Sequence, residues 1–174
     1  MQLDITKRGI VNAPVETLWQ ILAVDFAAVG DWTSTIAVSH PTPPTGEIIG
    51  GATIAGRVCS APSFGRINEL ITRYDEQAKV FSYIAQAGGL LAPANGLRNT
   101  WSLRAVGNHA TEVTTHIEAM LPGYVAPLLP LLRWYIVWIA NRVLEELQHY
   151  AETGTIHPRK RRALQRAGRL RQIT

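Results

Sequence analysis

Leu132, Ile136, Ile139, Val143, Leu147 and Tyr150 recur at spacings of three and four, which puts them along one side of a helix. The pattern predicts a helix from near Pro130 to about Glu152, ended at Gly154 by a left-handed cap. An apolar stripe of that length has to lie on a broad apolar surface. The stretch from Leu121 to Ala140 is almost wholly apolar and about as long as a bilayer crossing requires. It contains Pro122, Pro127, Pro130 and Arg133, however, and the stripe runs on past Ala140 to Leu147 and Tyr150. The expectation is therefore a helix gripped by a folded core, not a transmembrane span.

The surface for that helix is read from the preceding chain. Leu3 and Ile5 alternate with Asp4 and Thr6, a half-buried strand that stops at Ala13-Pro14. Pro14 opens a helix whose Val15, Leu18, Trp19 and Leu22 share a face, and Glu16 sits at its positive end. A second short helix follows over Phe26 to Val29, broken at Gly30. Trp32 is read as introducing a strand through Ile36 and Val38, which ends in the loop Pro41 to Gly46. Five more strands are expected: Gly51 to Ser60, Phe64 to Tyr74, Lys79 to Ala87, Leu97 to Val106 and Thr111 to Met120. Ile67, Glu69 and Ile71 share one face, as do Asn99, Trp101 and Leu103, and Val113, Thr115 and Ile117. Short turns such as Gly107-Asn108 imply an antiparallel meander of seven strands.

At 174 residues the chain is the size of one domain, assigned to 1–153, with a basic extension over 154–174. Apolar residues make up 47% and charged residues 17%, so some apolar surface is expected to line a pocket or an interface. Arg159, Lys160, Arg161, Arg162, Arg166, Arg169 and Arg171 lie in a run without an acid, and the remaining ten basic residues face thirteen acidic ones. The basicity belongs to the extension. Cys59 is the only cysteine, which excludes an intramolecular disulfide and a cysteine-rich metal site. With no signal-like apolar run at the N-terminus, the expected location is cytoplasmic, with a peripheral place at the inner membrane surface also open.

The order of these elements resembles the START-like (SRPBCC) superfamily, specifically its polyketide cyclase/dehydrase group. The resemblance is carried by Ala13-Pro14-Val15-Glu16-Thr17-Leu18-Trp19, Asp31-Trp32, Gly51-Ala52-Thr53, Glu69 with Tyr74-Asp75, Phe81-Ser82-Tyr83, Asn99-Thr100-Trp101-Ser102 and Leu144-Glu145-Glu146-Leu147. It covers about residues 3 to 153. It implies an α+β helix-grip fold: a seven-stranded antiparallel sheet wrapped around a long C-terminal helix, with two short helices after the first strand. It also implies a deep cavity for hydrophobic molecules such as lipids, polyketides or quinones. A reaction is not implied, since fold is a poor guide to chemistry.

Hydrophobic pockets gain specificity from a few polar groups among apolar walls. Glu69, between Ile67 and Ile71, is the candidate acid or base, because a carboxyl group desolvated there holds its proton more tightly. Its structural alternative is an ion pair with an arginine such as Arg57. Trp32, Tyr83, Asn99, Trp101, Ile136 and Ile139 are the other expected ligand-binding residues; the aromatic ones serve equally as ordinary core. His40 is in phase with Ile36 and Val38, and no histidines pair as metal ligands do, so no metal is expected. No Gly-x-Ser-x-Gly elbow or phosphate loop occurs, and no cofactor is expected. Two functions stay open: binding or carriage of a hydrophobic small molecule, or a polyketide cyclase, aromatase or dehydratase working by proton transfer and shape control.

Trp134, Val137 and Trp138 fall opposite the gripped stripe, free for a membrane interface or a homodimer. Arg159, Arg162, Arg166 and Arg169 would line one side of a basic amphipathic helix suited to anionic lipid, whereas the absence of interleaved aromatics speaks against nucleic acid. A solvated extension is the plainer reading of the same residues.

Overall fold

In a computed structural model, which describes residues 1–42, 48–62, 64–88 and 96–171, the chain opens with strand β1 (Gln2–Val11). Helix α1 (Val15–Trp19) follows Pro14 and continues as a wider turn over Gln20–Val24. A 3-10 turn at Phe26–Ala28 leads into the short α2 (Val29–Trp32). The meander then runs through β2 (Val38–Pro41), β3 (Gly56–Ala61), β4 (Gly65–Asp75), β5 (Val80–Ala87), β6 (Leu97–Val106) and β7 (Ala110–Met120). After a 3-10 turn at Gly123–Leu128 comes α3 (Leu129–Thr153), and α4 (Pro158–Arg171) ends the described chain.

The sheet order is β1-β7-β6-β5-β4-β3-β2, antiparallel throughout, so each strand after β1 neighbours the next and β1 closes against β7. Three elements differ from the sequence expectation. The break at Gly30 is absent, since α2 runs through that residue. Trp32 ends α2 instead of starting a strand, the Thr33 amide still bonding the Val29 carbonyl at 3.2 Å, and this keeps the indole down in the core. The strand expected from Gly51 begins only at Gly56, because Gly50 and Gly51 take positive φ in a turn closed by the Ala52 amide on the Ile49 carbonyl. From residue 43 the expected Pro41–Gly46 loop lies outside the described residues.

β4 carries a bulge between Ile71 and Arg73, which leaves Thr72 out of the pairing. Parity therefore switches along the strand. Ile67, Glu69 and Ile71 face inward before the bulge and Tyr74 after it, where its ring meets Trp19 at 5.1 Å. A strict alternation would have turned Tyr74 out to solvent.

Two apolar clusters fill the grip. The larger joins Leu18, Trp19 and Phe26 to Ile71, Phe81, Trp101, Val113 and Leu147. The smaller joins Leu3, Ile5, Ile117, Ala119, Leu121 and Val125 to Ile136 and Ala140. Each fully buried large side chain contributes about 1.5–3 kcal/mol. The helix stripe is thus rotated from the expected one: Ile136, Ala140 and Leu147 are buried, while Leu132, Ile139, Val143 and Tyr150 are half-buried. Val137 packs against the smaller cluster and leaves the outer side to Trp134 and Trp138. Gly154 caps α3 at φ 67°, its amide on the Tyr150 carbonyl at 2.9 Å. Gly123–Thr153 is also long and apolar enough to cross a bilayer, yet its inner face is committed to the sheet.

Candidate ligand-binding site

Across the concave face of the sheet the strands deliver a row of polar side chains: Arg57 from β3, Glu69 from β4, Tyr83 from β5, Asn99 from β6 and Thr115 from β7, all buried. Register makes them neighbours. Arg57 is paired with Glu69 and Tyr83 with Asn99, while Thr115 stands opposite Trp101, one inward position from Asn99. Thr115 donates its hydroxyl to Asn99 Oδ1 at 2.7 Å, and Asn99 Nδ2 donates to the Tyr83 hydroxyl oxygen at 3.0 Å. That leaves the phenol's own proton to donate onward. Arg57 Nε meets Glu69 Oε2, a second guanidinium nitrogen donates to the Phe26 carbonyl, and Cζ stands 3.7 Å from the Phe26 ring centre.

The electrostatics follow from burial. Loss of water alone would loosen the Arg57 proton, but Glu69, Tyr83 and Cys59 outweigh that loss and raise its pKa. Tyr83 is pushed up to about 12, first by burial and then by the Glu69 charge, with Arg57 opposing. Burial likewise pushes the Cys59 thiol up, Arg57 pulling against it. Cys59 Sγ donates to Ser39 Oγ at 3.5 Å and approaches Glu69 Oε2 at 3.7 Å.

Of the residues expected to bind ligand, Glu69, Tyr83, Asn99, Trp101 and Trp32 are buried, and all but Glu69 and Asn99 are counted in the larger apolar cluster. Trp32 Nε1 is buried with no hydrogen-bond acceptor, as is Trp19 Nε1. Ile136 belongs to the smaller cluster, and Ile139 is half-buried outside both. Glu69 does not sit alone among isoleucines, since Arg57 compensates its charge. Ser39, not His40, faces inward from β2, and His40 is exposed. The expected deep cavity has no open counterpart among the described residues. Among the described residues a surface depression lies on the convex side at Ile84, Arg98 and Glu118, and another at the Gly50 turn beside Asp75.

Sequence reasoning missed three features. Thr115 was placed on the inward face, yet its part in the polar line needed the β6–β7 register. Asp4, His116 and Glu118 gather on the convex face, His116 Nε2 lying 3.1 Å from Asp4 Oδ1; β1–β7 pairing assembles them from opposite ends of the domain. Glu146, 0% exposed, accepts from Thr33 Oγ1 at 2.8 Å, the Ser34 amide at 2.6 Å and Ser34 Oγ at 2.6 Å, with Arg142 and Arg159 beside it. This carboxylate ties α3 to the segment that follows Trp32.

The fold has close parallels. A START superfamily protein from Mycobacterium smegmatis superimposes with a TM-score of 0.68 at 14% identity, covering 87% of this chain and 99% of its own. Ara h 8.0201 does so with a TM-score of 0.67 at 13% identity, covering 87% and 98%. No curated protein matches the sequence. Residues 2–152 match the family described as polyketide cyclase / dehydrase and lipid transport, and the chain belongs to that family, as a START-like helix-grip protein.

Proposed function

We propose that this protein binds and carries a hydrophobic small molecule of the lipid, polyketide or quinone kind between its sheet and α3. Its family generally binds hydrophobic small molecules. The observation that carries the reading is the buried polar line ending at the Tyr83 hydroxyl, with the unpartnered Trp32 N–H in the same interior. Unmatched donors among apolar walls cost stability unless something accepts from them, and the carbonyl or hydroxyl oxygen of an otherwise apolar guest would do so. Ile139 of α3, half-buried outside both apolar clusters, offers apolar surface that such a guest would cover. Entry requires α3 to shift on the sheet.

Carriage is favoured over catalysis. Glu69 is the inward carboxylate of the sheet among the described residues, and its ion pair with Arg57 occupies the group that a cyclase or dehydratase would use as acid or base. The proposed working place is the cytoplasmic face of a membrane, where such molecules are stored, with the outer side of α3 as the contact. Homodimerisation through Trp134 and Trp138 competes for the same side.

Native mass spectrometry of freshly purified protein should show a co-purified apolar molecule, or uptake of one apolar fluorophore per chain. Tyr83→Phe should weaken binding of a carbonyl-bearing guest about tenfold, the effect of one hydrogen bond. A chain that takes up neither lipids, quinones nor dye would overturn the proposal. Turnover of a polyketide chain that Glu69→Gln abolishes would replace it with the enzyme reading.

A further inference from the structure

Leu131, Trp134, Trp138, Arg142 and Glu145 follow one another at spacings of three and four, so they form a single outer stripe on α3. Its first half is apolar and uncovered: Leu128, Leu131, Trp134 and Trp138 are 45%, 63%, 63% and 44% exposed. Tyr135 stacks on Trp138 at 5.9 Å and meets Phe64 from the β3–β4 turn at 5.8 Å, which extends the aromatic ridge toward the sheet. Its second half is charged, and there the chain end returns. Arg159 pairs with Glu145 and, at 3.1 Å, with Glu146, while Lys160, only 2% exposed, donates to the Ile36 carbonyl at 3.0 Å. Beyond this clamp residues 161–168 of α4 are all exposed, Arg161, Arg162 and Arg166 among them.

The extension is therefore an aimed helix and not a loose tether. Its root is bolted to the same side of α3 that carries the tryptophans. A helix of 14 residues with so little cover is marginal in water, and after Glu152 the chain has no acid to balance its arginines. We infer that the ridge and α4 together form one docking surface for an anionic lipid bilayer. Leu128, Leu131, Trp134 and Trp138 enter the interface, and Arg161, Arg162 and Arg166 engage lipid phosphates under the aim of the Arg159–Lys160 clamp. This deepens the membrane part of the carrier reading. A second copy on the same side would bring two basic helices together, and nucleic acid would leave the leucines and tryptophans of the ridge without a role.

The test uses the full chain and vesicles of phosphatidylcholine with and without phosphatidylglycerol, read by cosedimentation and by the blue shift of tryptophan fluorescence. Binding should need phosphatidylglycerol and weaken with added salt. The triple variant Arg161→Gln/Arg162→Gln/Arg166→Gln should bind about a hundredfold more weakly, at roughly fivefold per arginine. Trp134→Ser/Trp138→Ser should abolish the blue shift. Arg159→Ala/Lys160→Met, which keeps the three outer arginines but frees the helix root, should lose about tenfold. Equal affinity for pure phosphatidylcholine, no binding at low salt, or tighter binding to an RNA homopolymer would overturn the inference. So would a dimer that Trp138→Lys disperses while vesicle binding stays unchanged. Dye uptake by the same variants separates the two readings: vesicle binding without any dye uptake sinks the carrier and leaves the docking surface standing.

Discussion

Replacing Arg57 with methionine removes a cation that is only 5% exposed and leaves Glu69, itself 6% exposed, without a compensating charge. Removing one member of a buried pair costs about 3–5 kcal/mol, mostly the penalty of the charge left behind. The lost bond to the Phe26 carbonyl and the lost stacking on its ring act in the same direction. In a domain stable by about 5–15 kcal/mol this is a large fraction, readable as a drop in the urea midpoint without a change in slope. The double variant Arg57→Met/Glu69→Leu replaces both charges with apolar volume and should recover most of the loss, because paired desolvation penalties vanish together. A double-mutant cycle should therefore give a coupling at least as large as the Arg57→Met loss itself, about 3 kcal/mol or more. If Arg57→Met costs under about 1 kcal/mol, water reaches Glu69 and the interior is not the dry polar line described. If the double variant costs the sum of the singles, the pair acts through packing alone and charge compensation is the wrong explanation.

Raising the pH should expose Tyr83. Its pKa is about 12 in the folded state against an ordinary 10, so folded protein holds this proton where unfolded chain has lost it. The contribution is fully present below pH 10 and is lost as pH rises through 12, about 2–3 kcal/mol over that window. Comparing urea titrations of the native chain with Tyr83→Phe should isolate it, and identical slopes against pH would refute it. Gly56→Ala should destabilise by about 1–3 kcal/mol, since the added methyl would stand 2.2 Å from the Glu69 carbonyl oxygen and has to push β3 from β4; an unchanged thermal midpoint would contradict that close approach.

The architecture was legible because its signals are local. Alternation in β4, β6 and β7 fixes which residues face inward, and the three-four stripe fixes the long helix, each within a few residues of itself. Misreadings arose where one residue changes parity or where a turn is not marked by composition. Thr72 looks like any outward strand residue, and only its omission from the β4–β5 ladder reveals the bulge that turns Tyr74 inward. Trp32, a good strand residue by propensity, is held in a helical turn because its indole has a core to enter. Glu69 was legible as an inward carboxyl group with two readings, acid or base and partner of an arginine such as Arg57, and the structure holds it in the ion pair. Which arginine opposes it depends on a register that a one-residue slip would undo, moving Arg57 to the convex face.

Glu146 marks the limit of pattern reading and also explains why α3 has two working faces. On the wheel it adjoins Leu147 and Val143, where an apolar residue would suit a pure core helix. Burying a carboxylate there is tolerable only because Thr33 and Ser34 from the segment after α2, Arg142 from one turn earlier on α3 and Arg159 from α4 converge on it. Arg142 reaches it from the outer stripe, where the same guanidinium stands 5.2 Å from the Trp138 ring centre, and Arg159 reaches it from the root of α4. One buried charge thus joins the segment after Trp32, the aromatic ridge and the basic helix.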